Sequence, residues 1–315
     1  MSVSKRTFTS DPTTGFGTRG TDAGERFYQK DGSVNIIRRG VPFLHSFSWY
    51  HTMLSMPRWR FYLTLWLVYI IVNFLFAIVY YDIGMENFGG VHTGSALRNF
   101  AEAYFFSAQT FTTVGYGRIS PVSFAASAVA AFEAFVGLLA FALASGLFFG
   151  RFAKPRADLF FSSIALIAPY KEGKALMFRM VPYKNNRLTD AEIKLTLGMR
   201  VKEGAEMRNH FYPLNVEFSK ITALILNWTI VHPLTEDSPL HGFSLQDMRD
   251  NFVELLVIVK AYDEGFASTV VARTSYVAAE FIDNARFKPM YHSSENGKST
   301  VLNIDALNDF DPLQK

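Results

Sequence analysis

Hydrophobic and polar positions follow three different regimes along the chain. Residues 1–44 are polar, rich in Gly and Thr, and carry Lys5, Arg6, Arg19, Arg26, Arg38 and Arg39. This stretch has no periodic apolar face, which predicts a flexible leader. Residues 46–153 hold long apolar runs with few charges. Beyond residue 156 the apolar runs shorten to about five to ten residues, rich in β-branched and aromatic side chains and separated by charged turns.

Within the second regime, Phe47, Tyr50, His51 and Leu54 recur at i, i+3, i+4 and i+7, one face of a helix, and Pro57 stops it. A short amphipathic helix over 45–57, followed by Pro57-Arg58-Trp59-Arg60, suits a bilayer interface, where Trp and Arg anchor well. Its alternative is an ordinary surface helix. Phe61 to Tyr81 contains no formal charge, and about twenty helical residues cross the roughly 30 Å hydrocarbon layer, predicting an outer transmembrane helix over 60–82. A second run, Ile119 to Ala153, is broken only by Glu133 and Arg151 and predicts an inner helix over 120–152. Its Gly137, Ala140, Ala142, Ala144, Ser145, Gly146 and Gly150 permit close helix approach or bending. Residues 98–111 between the spans form a helix too short to cross, which would re-enter.

In the third regime, segments 159–168, 175–181, 191–201, 221–231, 253–262 and 268–278 alternate with turns such as Lys-Glu-Gly, Lys-Asn-Asn and Asp-Glu-Gly. They predict an antiparallel β-sandwich over 156–290 and a loosely ordered tail over 291–315. Arg38, Arg39, Arg58 and Arg60 precede the first span, and Arg151, Lys154 and Arg156 follow the second. The connecting residues 82–118 carry Arg98 and Arg118 against Asp82, Glu86 and Glu102. The positive-inside rule places both termini in the cytoplasm.

Composition narrows the function. A chain of 315 residues has room for two domains, and 49% hydrophobic residues with 31 Phe fit a partly membrane-embedded protein. A net charge of +3 does not indicate nucleic-acid binding. The absence of cysteine excludes disulfides, thiolate metal sites and Cys nucleophiles. No apolar region near Met1 resembles a signal peptide. Gly15-Phe16-Gly17-Thr18-Arg19-Gly20 has the spacing of a dinucleotide loop but neither the strand before it nor the helix after it. There is no P-loop or H-E-x-x-H, and the 7 His are scattered. His232, beside Pro233 at a strand end, reads as structural, and the Asn227-Trp228-Thr229 sequon lies on the predicted cytoplasmic side. An enzyme, a cofactor and a small-molecule substrate are therefore not expected.

The chemistry sits at Thr112-Thr113-Val114-Gly115-Tyr116-Gly117, directly after the re-entrant helix. Stripping water from K⁺ requires oxygen ligands on all sides, and carbonyls from four extended Thr-Val-Gly-Tyr-Gly segments supply them, with Thr113 hydroxyls at the innermost site. Gly115 and Gly117 allow successive carbonyls to face one way, while Val114 and Tyr116 pack outward. The helix presents its partly negative end to the ion path. Each chain brings one strand, so the mechanism demands a homotetramer.

From about residue 45 to 290 the chain resembles the inward-rectifier potassium channels, particularly their bacterial members. The resemblance rests on the filter, on Pro57-Arg58-Trp59, and on Arg151-Phe152-Ala153-Lys154-Pro155 and Leu176-Met177-Phe178-Arg179. Trp228-Thr229-Ile230-Val231-His232-Pro233, Ser238-Pro239-Leu240-His241-Gly242 and Ala272-Arg273-Thr274-Ser275-Tyr276 follow in family order. It implies a slide helix, outer, pore and inner helices, and an immunoglobulin-like cytoplasmic domain, in a bacterial inner membrane. Phe149 falls at the family's bundle-crossing gate, with lipid-facing packing as the alternative. Phe141, also a candidate gate residue, replaces the acidic side chain of strongly rectifying animal channels, which argues against polyamine-dependent rectification. Gln109, expected to support the filter, replaces the pore-helix Glu of animal relatives. Glu133 reads as a buried partner supporting the filter, linked to Tyr104 or Thr112, or as an ion-binding group in the cavity. Gly137 reads as a hinge or as a packing residue. Arg58, Arg60, Arg151, Lys154 and Arg156 could bind anionic lipid head groups, or serve topology alone. Two rivals stand: a poorly conducting receptor, which the intact filter disfavours, and a two-span channel with a nucleotide-binding domain, which the lack of a βαβ pattern disfavours.

Overall fold

The computed structural model describes residues 26–37, 39–40, 48–203 and 206–313. The glycine-rich stretch Gly15–Gly20 lies outside them. Contacts divide the chain after Arg38 and after Lys154 into a helical unit, Arg39–Lys154, and a β unit that includes the described N-terminal residues.

The helical unit opens with α1 (Trp49–Ser55), capped at its start by the Ser48 side chain accepting from the His51 amide. Pro57, which cannot donate a helical hydrogen bond, separates α1 from α2 (Arg58–Ile83). After a short β1 (Phe88–Gly89), Ser95 caps α3 (Ala96–Phe111). Next come β2 (Ser120–Pro121), paired antiparallel with β1, and α4 (Phe124–Phe152). Both α2 and α4 are long and apolar enough to cross a membrane. Most of their large side chains are exposed in the single chain, as a lipid or subunit environment requires. A packed nucleus holds the outer half together, where Tyr80 and Phe106 rings meet at 5.0 Å and Phe88 lies 5.2 Å from Phe106.

The β unit contains β3 (Leu159–Phe161), β4 (Ala165–Tyr170), β5 (Gly173–Pro182), β6 (Leu188–Glu203), β7 (Glu206–Leu214), β8 (Lys220–Leu224) and β9 (Trp228–Pro233). A short α5 (Leu245–Asp250) precedes β10 (Glu254–Asp263), β11 (Ser268–Val277) and β12 (Phe281–Asp283). One sheet orders β11-β10-β6-β7 with β8 on β6; the other orders β12-β4-β5-β3 with β9 on β5. All pairs are antiparallel except β12 with β4, a parallel departure from the all-antiparallel expectation. The alternation of Ile193, Leu195 and Leu197 on β6 and of Trp228 and Ile230 on β9 fills the core between the sheets.

Two expectations are corrected. The last residues are not a loose tail: β13 (Ala285–Phe287) pairs with β16 (Phe310–Pro312), and β14 (Tyr291–Ser293) pairs with β15 (Thr300–Leu302). Met290, Ala306 and Leu307 bury themselves with Val181, an apolar set too sparse along the sequence to show a period. Nor are residues 26–35 free leader. They turn back on themselves, with Tyr28 bridging Val34. The Glu254 carboxylate, buried at the start of β10, accepts from the Phe27 amide (2.8 Å) and the Tyr28 amide (3.3 Å). Ser275 and Thr274 hydroxyls donate to the Tyr28 and Lys30 carbonyls at 2.6 and 3.2 Å. Gly32 passes so close to β11 that a Cβ there would lie 2.5 Å from the Arg273 carbonyl. Glu280 takes Arg26 at 2.5 Å and Lys30 at 3.1 Å, and the Lys30 ammonium sits 3.7 Å from the Tyr276 ring centroid.

Burial pushes the Lys30 ammonium down to about 8, against the partial compensation of Glu280, and raises Glu254 above the ordinary glutamate range. A lowered Lys disfavours docking while it is charged, so this penalty is complete below about pH 8 and is relieved as pH rises towards the free value of 10.5. The raised Glu254 acts oppositely and lower: its contribution is full while protonated and is lost as pH rises through its shifted value. Since the chain has no native Cys, a spin label on Ser33→Cys reports the segment directly. Immobilisation is expected to increase between about pH 8 and about pH 10, Lys30→Met is expected to abolish that rise, and Glu254→Ala to free the label.

Candidate functional site

The site is built on α3. Sixteen residues give it a length of only about 24 Å, short of the roughly 30 Å hydrocarbon layer that α2 and α4 are long enough to cross. Its buried Ala103, Phe106 and Ser107 hold it between α2 and α4. At its end the chain peels off while still hydrogen-bonded to the helix. The Thr113 amide donates to the Thr110 carbonyl (3.0 Å), and the Val114 and Gly115 amides both donate to the Gln109 carbonyl, at 3.0 and 3.3 Å. Orphan carbonyls of the last turn thus take up the amides of the loop.

The loop backbone alternates in hand. φ is +58° at Thr113, +51° at Gly115 and +79° at Gly117, and negative at Val114 and Tyr116 between them. Such alternation turns successive carbonyls to one side of the strand. Positive φ costs the glycines nothing, but Thr113 is β-branched and strained there, a condition that concentrates at functional positions. Among the described residues, no hydrogen bond reaches the carbonyls of Thr113 to Gly117. The loop is exposed throughout in the single chain, Tyr116 to 79%.

Behind the loop, Gly137 on α4 meets α3 end-on: a Cβ would lie 2.0 Å from the Phe111 carbonyl oxygen. Close approach alone requires glycine here, and α4 runs unbroken from Phe124 to Phe152. Glu133, one turn earlier, is fully buried. Its carboxylate accepts from the Tyr80 hydroxyl of α2 at 2.5 Å and from the Ser107 hydroxyl of α3. The Ser107 oxygen also lies 3.1 Å from Asn73 Oδ1, whose amide nitrogen donates to the Tyr69 carbonyl at 2.7 Å. Three helices meet on one carboxylate. Its partners are therefore Tyr80 and Ser107, not Tyr104 or Thr112. Beyond Gly117, the Arg118 guanidinium pairs with Glu102 of α3 and donates to the Gly90 carbonyl at 3.1 Å.

At the other end of α4, Arg151 donates to the carbonyls of Met53 (3.0 Å) and Met56 (2.6 Å), closing the C-terminus of α1, and lies 5.0 Å from the Phe61 ring centroid. Gly150 packs against Tyr50 and Leu54 of α1. Arg151 is thus engaged within the chain, whereas Arg58, Arg60 and Lys154 are exposed, as is Arg156 in the β unit. Phe141 and Phe149 on α4 are 72% and 75% exposed in the single chain.

Residues 47–154 match the ion channel family, and residues 159–313 match the inward rectifier potassium channel C-terminal domain. The chain is 31% identical over 284 residues to the inward rectifier potassium channel Kirbac3.1 of Paramagnetospirillum magnetotacticum, covering 88% of this chain and 92% of that protein. The chain belongs to the inward rectifier potassium channel family. Within the family it is a bacterial-type member. The ATP-sensitive inward rectifier potassium channel 12 of Gallus gallus is 29% identical over 300 residues, 86% of this chain and 68% of that one. The likeness to a solved structure of the Bacillus subtilis sporulation control protein Spo0M is slight, with a TM-score of 0.22 at 12% identity over 39% of this chain and 49% of that one. As a channel family it is not an enzyme class, and its two apolar helices fit membrane spans.

Sequence reasoning on this inward rectifier missed Asn73, Tyr80, Ser107, Glu102 and Gly90. The signal for the first lay in the open, since Asn73 is the one amide in an otherwise uncharged apolar run. The others look like ordinary surface or interfacial residues until the helices are packed. Gly137→Ala is expected to destabilise the pore unit by about 1–3 kcal/mol through overpacking against Phe111. Tyr80→Phe, which removes one donor from buried Glu133, is expected to cost about 1–3 kcal/mol. Thermal unfolding in detergent, or recovery of assembled protein, measures both, and Gly146→Ala, where nothing of the same chain lies within 4 Å, is the comparison without an intrachain clash.

Proposed function

We propose that this protein is a potassium-selective channel in which four copies assemble around Thr113-Val114-Gly115-Tyr116-Gly117. The observation that carries the reading is the loop's backbone: amides turned back onto Gln109, φ alternating in sign, and carbonyls with no partner among the described residues. In a membrane interior an unpartnered carbonyl is costly unless it meets water or a cation. Four such strands replace the hydration shell of K⁺ at successive levels, with the Thr113 hydroxyl at the inner end. Four copies also account for the exposure of Val114 and Tyr116, which need neighbours to fix the width of the ring. Conduction is passive and needs no cofactor beyond the permeating ion.

Phe149, with Phe141 two turns before it, lines the inner passage and forms the gate. Gly137 serves packing behind the filter rather than bending. Arg58, Arg60, Lys154 and Arg156 bind anionic phospholipid head groups, each worth about 1 kcal/mol at the surface, while Arg151 ties α4 to α1 and transmits the effect to the gate. Both termini face the cytoplasm of a bacterial cell whose inner membrane holds the tetramer.

⁸⁶Rb⁺ uptake into K⁺-loaded liposomes tests the proposal. Uptake blocked by Ba²⁺ and lost in Gly115→Ala is expected. A well-folded tetramer that takes up no Rb⁺ at any pH or anionic lipid content would replace this reading with that of a ligand-sensing receptor.

A further inference from the structure

The proposed filter is tied at its inner end by the Gln109 carbonyl, which receives the Val114 and Gly115 amides. Among the described residues, no comparable bond from the backbone holds its outer end. The residue directly after Gly117 takes that place. Arg118 lays its guanidinium along the Glu102 carboxylate, one nitrogen on each oxygen, with Nη1 at 3.4 Å from Oε1, and the same Nη1 donates to the Gly90 carbonyl at 3.1 Å. Glu102 is two turns before Gln109 on the same helix, and its side chain is only 12% exposed. Gly90, with φ of +76°, lies so close beneath the strand that a Cβ would be 1.7 Å from the Arg118 carbonyl oxygen.

We infer that Arg118 is a positioning residue for the outer end of the filter, clamping the strand to α3 through Glu102 and to the outer loop through Gly90. The inference rests on the filter reading of Thr113–Gly117. One rigid helix then holds both ends of a strand whose intervening carbonyls accept no hydrogen bond among the described residues, so strand length and carbonyl spacing are set by α3. A planar, bidentate guanidinium fixes both distance and direction, which a lysine's point charge does not. Partial burial of Glu102 makes the pair stronger than a wholly exposed one. Releasing the clamp leaves the strand anchored at one end, and the outermost sites lose their geometry when K⁺ is scarce. Arg118 touches no ion itself.

The test compares the wild type with Arg118→Ala, Glu102→Ala, Arg118→Lys and the exchanged pair Arg118→Glu with Glu102→Arg. Two quantities are read: the K⁺ concentration giving half-maximal protection of the tetramer against heat, and the K⁺-over-Na⁺ preference in flux. Either single alanine is expected to raise the required K⁺ about tenfold and to lower selectivity, Arg118→Lys to fall between, and the exchange to recover most of the loss. If the alanine variants assemble and show wild-type K⁺ dependence and selectivity, the clamp is wrong. If they fail to assemble, the exchanged pair and Arg118→Lys decide: recovery in graded order supports positioning, and wild-type values in Arg118→Lys overturn it. Absence of selective flux in the wild type itself would instead defeat the filter reading.

Discussion

A peptide carbonyl in the interior of a membrane must find a hydrogen-bond donor, water or a cation, because nothing in hydrocarbon replaces them. Most of this chain's membrane segments meet that demand with helical bonds along α2, α3 and α4. The stretch Thr113–Gly117 does not. Its amides are turned onto the end of α3, and its carbonyls are left without donors among the described residues. Everything else in the helical unit can be understood as the means of holding a backbone in that unsatisfied state. α3, at sixteen residues, is too short to cross a membrane by itself. Gly137 lets α4 come against that end, and the Glu133 carboxylate, received by Tyr80 and Ser107, locks the outer and inner helices to it.

The cost of this arrangement explains where the polar groups lie. A carboxylate in a span is among the more expensive residues a membrane helix can carry. Glu133 is tolerated because two hydroxyls reach it from two other helices, and Asn73 extends the group towards α2. The strain at Thr113 is likewise held in place by the bonds on either side of it. A second polar junction, Arg151 on the carbonyls of Met53 and Met56, ties the far end of α4 to the end of α1, so any displacement of α4 there has to break two hydrogen bonds or carry α1 with it.

Long-range order of this kind was legible in the sequence to very different degrees. The spans, the re-entrant helix and the short β segments could be read because each is written as a local period: uncharged runs for α2 and α4, alternation for β6 and β9. The string Thr113–Gly117, proposed above as the filter, stands out because its glycines and their spacing are contiguous. Glu133 was flagged by its charge, but its partners were not, since Tyr80 and Ser107 lie 53 and 26 positions away and share no pattern with it. The N-terminal segment was hidden for a related reason. Phe27 and Tyr28 are too few to form an apolar face, and what orders them is the buried Glu254, 227 and 226 residues on. The parallel pairing of β12 with β4 escaped because strand patterns carry no direction.

The same distinction bears on which substitutions inform about function. Local patterns are redundant: one more or one fewer apolar residue in α2 leaves a span. Junctions between distant residues are not, because each buried polar group there has one or two specific partners and no water to replace them. Changing Val68 or Leu67 on the exposed side of α2 therefore reports on packing with lipid or a neighbour, and little else. Changing Ser107, Glu133, Arg118 or Arg151 alters the relation between helices while leaving every helix intact. In this fold those relations set how the helices meet behind Thr113–Gly117, and the residues making them are ones a sequence motif leaves out.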